Sequence, residues 1–173
     1  MLYCLKRGEF MFRPQYIFDK IWDIPFSFFA ENRINAVFLD VDNTLTTHDN
    51  PDCDQRAKDW ILKMHQSGLK LIILSNNTPE RVSPFAESVG LDFITGTKPD
   101  RKIYLDAMER VGEKAQNCAG IGDQLFTDVW GANRAKIVSI LTKPIYEDFV
   151  PFIKFKRILE KPFLKHYERG AKR

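Results

Sequence analysis

The chain has 173 residues, 44% of them hydrophobic and 28% charged, with a net charge of +3. That balance is ordinary for a globular protein, and so small an excess of positive charge gives no ground for nucleic-acid binding. No apolar run reaches the roughly 18 residues needed to cross a bilayer, and charged or proline residues interrupt the aromatic N-terminus too often for a signal peptide. Three widely spaced cysteines, Cys4, Cys53 and Cys118, form no metal-binding or disulfide pattern, which suggests a reduced, cytoplasmic protein.

In chain order, residues 11 to 29 are dense in aromatic and aliphatic side chains, among them Phe12, Phe18, Trp22 and Phe29. Ala36 to Leu39 is an apolar run ending at Asp40, the pattern of a buried strand. Asp54 to Ser67 predicts a helix, with Ala57, Trp60, Ile61 and Met64 at helical spacing and Gly68 at its end. Leu69 to Leu74 is a second strand. Thr78 and Pro79 have the form of an N-cap and first helical residue, opening a helix that ends at Gly90. Phe93 to Thr95 is a third strand, and Pro99 opens another helix. Ala119 to Gly122 is a fourth strand, Phe126 to Arg134 a short helix, and Ile137 to Leu141 a fifth strand.

Strands that are apolar throughout, alternating with helices, predict a doubly wound, Rossmann-like α/β fold with a parallel five-stranded sheet and helices on both faces. One domain is expected over 1–173, with a core at about 33–145 and extensions at 1–32 and 146–173. Residues 151 to 173 carry eight Lys or Arg against two Glu, so the excess positive charge is concentrated in that tail.

In such a sheet the ligand site lies at the carboxyl ends of the strands. The first predicted strand runs out into Asp40 and Asp42, two apart and so expected to project together. The second ends in Ser75-Asn76-Asn77 before a helix N-terminus, a natural phosphate seat. Lys98 precedes Pro99, which restricts its backbone to extended conformations. The fourth strand ends in Gly122-Asp123, and Asp128 follows. Carboxylates gathered on one edge repel each other and any phosphate unless a cation joins them. An all-oxygen ligand set favours a hard cation, magnesium.

The segment Asp40-Val41-Asp42-Asn43-Thr44-Leu45 resembles the first motif of the haloacid dehalogenase superfamily, and Ser75, Lys98 and Gly122-Asp123 with Asp128 resemble its second, third and fourth motifs in order. The resemblance spans about 36–142. Phe38 to Leu45, and Gly122 to Val129 with Gly131 to Arg134 after it, are similar to the YqeG-like branch of subclass IIIA, whose relatives include phosphatases of phosphatidylglycerophosphate. The resemblance implies roles. Asp40 would be the nucleophile that forms an aspartyl-phosphate. Asp42 would act as acid and base, and Lys98 would offset charge on the transferring group. Ser75, Asn76 and Lys98 would bind the phosphoryl group, and Asp40, Asp42 through its carbonyl, Asp123 and Asp128 would hold magnesium.

The spacings leave no room for the cap domain that many such enzymes insert after the first motif or between the second and third. An open site suits a bulky substrate, and the expected partner is a phosphorylated one, an anionic phospholipid reached by peripheral membrane contact through the aromatic N-terminus and the basic tail. A soluble sugar phosphate or nucleotide is the alternative substrate. A phosphorylatable receiver or a non-catalytic phosphate-binding module is the alternative from another class. A receiver, however, carries its phosphorylated aspartate after the third strand and its lysine after the fifth, and Asp42 as a ready acid and base favours turnover over a lasting phosphoryl switch. Asp52, Asp54, His48 and Cys53 read as loop, cap or incidental residues, and Asn133 and Arg134 as the end of a helix.

Overall fold

The computed structural model describes residues 11–47, 50–146 and 159–160. The expectations for His48, Cys4 and most of the basic tail therefore fall outside the described residues.

Among the described residues, six strands form one parallel sheet: β1 (Tyr16–Phe18), β2 (Ala36–Leu39), β3 (Lys70–Ser75), β4 (Asp92–Thr95), β5 (Cys118–Gly122) and β6 (Val138–Thr142), in the order β1-β6-β5-β2-β3-β4. The helices are α1 (Phe26–Glu31), α2 (Gln55–Gln66), α3 (Pro79–Val89), α4 (Arg101–Val111) and α5 (Trp130–Ala135). The α/β doubly wound architecture is as expected, and the strand count is not. The additional strand is β1, three residues long, pairing with β6 from Tyr16 opposite Ile140 to Phe18 opposite Thr142. Asp40 accordingly follows the second strand in chain order rather than the first.

Alternation along the strands sorts the core into two layers. Val37, Leu39, Ile73 and Ile121 face one side, against Trp60, Ile61 and Met64 of α2 and Val82 and Phe85 of α3. Ala36, Phe38, Ile72 and Leu74 face the other, against Ile103, Tyr104, Ala107 and Met108 of α4 and Ala132 of α5.

The N-terminal aromatics from Tyr16 to Phe29 belong to the first layer. Ile21, Ile24 and Phe29 are buried, Phe29 stacks edge-on against Trp60, and the Trp60 indole N–H donates to the Ile24 carbonyl at 2.8 Å. Phe12 packs edge-on against Phe126 and Trp130 on the opposite flank. Among the described residues, no helix is long and apolar enough to cross a membrane.

Local boundaries follow caps. Asp54 accepts from the Arg56 amide and opens α2, as its capping reading predicts. Asp100 does the same for α4 from the Lys102 amide, so that helix begins at Arg101, two residues after Pro99. Thr78 precedes Pro79 at the start of α3 but makes no side-chain capping bond. The helix predicted from Phe126 to Arg134 is two pieces: a π-helical turn over Leu125–Val129, then α5. The wider π turn changes where Asp128 points.

Candidate active site

Three neighbouring strands bring the site together. β2 lies between β3 and β5, with Leu39 opposite both Ile73 and Ile121. Asp40, Ser75 and Asp123 therefore emerge at adjacent strand ends, with Asp40 on the central strand and the strands of Ser75 and Asp123 each one interstrand spacing of about 4.8 Å to either side. The Asp40 amide donates to the Ile121 carbonyl at 2.9 Å, which extends the ladder by one residue and holds Asp40 at the sheet edge.

The chain then turns back sharply. Asn43 adopts φ 61°, a left-handed conformation that Asn tolerates better than most residues, and its amide donates to the Thr46 carbonyl. Asn43, Thr44 and Thr46 are buried, and the Thr44 hydroxyl donates to Asp40 Oδ2 at 3.3 Å. The turn is thus held by its own polar groups.

Lys98 is the electrostatic centre. It is 5% exposed, and its Nζ donates to Asp40 Oδ1 at 2.5 Å and to Asp128 Oδ1 at 2.7 Å. Its backbone is held by the Asn76 amide oxygen, which accepts from the Lys98 N–H at 2.7 Å. Asn76 itself is exposed, so the residue expected to bind phosphate also positions the lysine. The Lys98–Pro99 peptide is cis. Burial works against the Lys98 charge, but Asp128 and Asp40 outweigh it and hold the ammonium well above its ordinary range. Burial pushes the Asp40 carboxyl up to about 7; Lys98 opposes that rise and Asp128 adds to it.

Asp40, Asp123 and Asp128 each offer a carboxylate oxygen within 4.8 Å of the others. Asp123 and Asp128 are 2% and 5% exposed. Three buried carboxylates facing one ammonium leave uncompensated negative charge, and their oxygens form the hard donor set of a divalent cation. The residues present therefore fit such an ion.

The position of Asp128 depends on Gly122: a Cβ there would lie 2.3 Å from Asp128 Cγ. The π turn presents Asp128 inward, its Oδ2 accepting from the Gln124 amide at 3.1 Å. The Tyr104 hydroxyl donates to the Asp128 carbonyl at 3.2 Å, and the Leu125 amide donates to Glu160, a buried carboxylate from the tail.

Asp42 does not join the acidic triad through its carboxylate. Asn77 Nδ2 donates to its Oδ2 at 2.7 Å and Arg81 Nη2 to its Oδ1 at 3.3 Å, so the side chain turns toward α3. It lines a cleft of about 370 Å³ with Ser75, Asn77, Arg81, Val82 and Phe85. Asp40 instead lies in a recess with Lys98, Tyr104 and Asp128. Ser75 is buried, and its hydroxyl oxygen accepts from the Asn77 amide at 3.1 Å.

The structure thus gathers Asp40, Asp123, Asp128 and Lys98 into one charge cluster and sets Asp42 and Ser75 on the adjoining cleft. Asn77, Arg81, Tyr104 and Glu160 were missed from sequence. The only available signal was the spacing of Asn77 and Arg81, four apart across the start of a predicted helix. Arg134 ends α5 as expected, its guanidinium donating to the Pro99 carbonyl. Cys53, whose thiol lies 3.5 Å from the Leu45 carbonyl, is not in the cluster.

Comparison with known proteins identifies the family and the fold. The family of haloacid dehalogenase-like hydrolases matches residues 48–136. A Bacillus subtilis (strain 168) protein described as probable phosphatase YqeG is 33% identical over 159 residues, covering 91% of this chain and 92% of that one. The fold is similar to that of an uncharacterized protein from Listeria monocytogenes serotype 4b, with TM-score 0.56 and 23% identity over 68% of this chain and 85% of the other. It is also similar to the cobalt-bound deoxy-D-mannose-octulosonate 8-phosphate phosphatase of Haemophilus influenzae, with TM-score 0.54 and 20% identity over 74% of this chain and 77% of the other. The family match and the extent of the YqeG relationship show that this chain belongs to the haloacid dehalogenase-like hydrolases and is one of their phosphatases.

Proposed function

We propose that this phosphatase is a magnesium-dependent phosphomonoesterase that works through an aspartyl-phosphate on Asp40. The observation that carries this reading is Lys98, buried between Asp40 and Asp128, with Asp123 completing an oxygen cluster. Magnesium held by Asp40, Asp123 and Asp128, with the Asp42 carbonyl, would offset the charge of nucleophile and phosphoryl group and polarise the latter.

Ser75 and the exposed amide of Asn76 receive the phosphoryl oxygens, and Lys98 balances the charge passing from nucleophile to phosphorus. Asp40 attacks phosphorus in line, and the bond to the leaving alcohol oxygen breaks. Asp42, steadied by Asn77, gives that oxygen a proton and then takes one from the water that cleaves the aspartyl-phosphate. The exchange regenerates both carboxyl groups.

For the substrate, the resemblance to the YqeG-like branch and the absence of room for a cap favour a lipid head group, phosphatidylglycerophosphate. Contact with anionic lipid would fall to the basic stretch after residue 150. The aromatics from Tyr16 to Phe29 pack in or against the core, which leaves the basic stretch as the main candidate for that contact. The fold likeness to an octulosonate 8-phosphate phosphatase makes a soluble sugar phosphate the second reading.

The test is phosphate release with magnesium from an aryl phosphate, from phosphatidylglycerophosphate in mixed micelles and from a sugar phosphate, for wild type and Asp40→Asn. Release from the lipid, lost in Asp40→Asn, supports the whole reading. Faster turnover of the sugar phosphate discards the lipid. Activity that survives in Asp40→Asn discards the nucleophile.

A further inference from the structure

Asp128 reaches Lys98 from a turn whose start is held by a residue far along the chain. The π turn over Leu125–Val129 closes on Gln124: the Asp128 amide donates to the Gln124 carbonyl at 3.1 Å, and the Gln124 amide donates to Asp128 Oδ2 at 3.1 Å. The Leu125 amide comes next. The first N–H groups of a helical segment find no acceptor inside it, and this one donates instead to Glu160 Oε1 at 2.8 Å, across 35 positions of chain. Leu125, Val129 and Leu141 form a small apolar cluster that seats the turn against the sheet. Apolar contact is non-directional, however, and does not fix how the turn is rotated. A hydrogen bond to the residue beside Gln124 does fix it. Glu160 is one of two acidic residues in 151–173, a stretch with eight Lys or Arg, yet it is 1% exposed. A carboxylate is costly to bury unless hydrogen bonds compensate it, so the bond to the Leu125 amide is part of what keeps it there.

We propose that Glu160 is a positioning residue for Asp128. By holding the Leu125 amide it sets the rotation of the π turn, and so the direction of the carboxylate that helps to hold magnesium beside Lys98. The C-terminal stretch, an extension by its sequence, thereby becomes a working part of the active site. The inference rests on the reading of Asp128 as a magnesium ligand. It goes beyond that reading in naming the residue that aims it.

Magnesium binding measures this separately from turnover. The full chain is titrated with magnesium chloride by calorimetry as wild type, Glu160→Ala, Glu160→Asp and Glu160→Gln. The alanine removes the acceptor. The aspartate keeps the charge but is one methylene shorter. The glutamine keeps an acceptor oxygen at the same reach without the charge. Glu160→Ala and Glu160→Asp should each raise the magnesium dissociation constant roughly tenfold, as losing a group that orients a metal ligand does. Glu160→Gln should stay within about threefold of wild type, because the hydrogen bond survives. Two variants share the first expectation, so the test does not depend on Glu160→Ala folding. In an Asp128→Asn background, Glu160→Asp should change the constant by less than about twofold, since the carboxylate it aims is gone. Excess magnesium should bring aryl phosphate turnover in Glu160→Asp back toward wild type. Equal magnesium affinity in every variant overturns the proposal. So does a loss that persists in full in Asp128→Asn, which would mark Glu160 as general support for the fold. A loss in Glu160→Gln as large as in Glu160→Ala overturns it too, because Glu160 would then act by its charge and not by holding the amide. Wild-type turnover of an aryl phosphate is measured in parallel. Its absence counts against the phosphatase mechanism, while the magnesium titrations still decide the role of Glu160.

Discussion

Gly122 and Asp128 are in such close contact that a single methyl group on the glycine would lie 2.3 Å from the aspartate's carboxyl carbon. No side chain but hydrogen lets the end of β5 pass behind Asp128 and leave its carboxylate on Lys98. Gly122→Ala should displace Asp128 and loosen its 2.7 Å contact with the lysine. The expected cost is about 1–3 kcal/mol of stability and roughly a hundredfold in kcat. Thermal melting and aryl phosphate kinetics check both; an unchanged kcat would show that Asp128 does not need this position.

Lys98 balances two carboxylates where water cannot. Lys98→Met keeps most of the length of the unbranched side chain and removes the charge, leaving Asp40 and Asp128 facing each other. Breaking a buried ion cluster in this way costs about 3–5 kcal/mol. Without magnesium the variant should melt well below wild type, and added magnesium should raise its melting temperature by more than it raises that of wild type. A smaller magnesium effect in the variant would contradict the proposed overlap between lysine and metal.

Asp40 links stability to pH. Its carboxyl lies at about 7 in the fold against an ordinary 3.8, chiefly through burial. A raised carboxyl favours the folded state in its protonated form. The contribution is complete below the unfolded value and is lost as pH rises through the folded one. In EDTA, wild type should therefore be more stable at pH 6 than at pH 8, by about 1.4 kcal/mol in all from this group, because the dependence flattens above the folded value. Asp40→Asn removes the titrating group and that part of the slope. Parallel slopes in denaturant titrations would show that Lys98 keeps Asp40 ionised throughout.

The N-terminal segment is tested as core by Phe29→Ala. Phe29 is fully buried and meets both Phe28 and Trp60. The substitution should cost about 3–5 kcal/mol, measured by urea unfolding, and should leave retention on anionic vesicles unchanged in the folded protein. A loss of vesicle binding with little change in stability would return these aromatics to a membrane role.

Cys53 is predicted to be inert. Burial first, then the neighbouring Asp54, pushes its thiol up to about 12. Iodoacetamide at pH 8 should leave the Cys53 peptide unmodified in the native protein and label it fully in urea, as read by mass spectrometry. Rapid native labelling would mean that the 51–54 stretch opens freely.

Much of the site was legible because several of its residues sit at the end of a local pattern. Asp40 ends an apolar run, Ser75 ends another before a helix, and Gly122-Asp123 ends a third. A parallel sheet aligns the ends of its strands, so four short motifs suffice to predict one edge. The strand β1 was not legible: three residues at a sheet edge carry too little periodicity, and an aromatic-rich stretch has the same composition whether it covers a core or a membrane. The π turn was not legible either, since helical spacing from Phe126 to Arg134 does not reveal a wider first turn.

The sequence by itself determined the alternation of elements from β2 onward, the parallel sheet and the identity of the acidic and basic groups at its edge, because these depend on short-range patterning and on strand ends that must coincide. Only the tertiary structure decided how those groups are shared. Asp42 and Asp40 are two residues apart and were expected to project together. Yet one turns to Asn77 and Arg81 and the other to Lys98, because contacts made across 35 and 58 positions of chain set the direction of a side chain where alternation in an extended strand no longer holds.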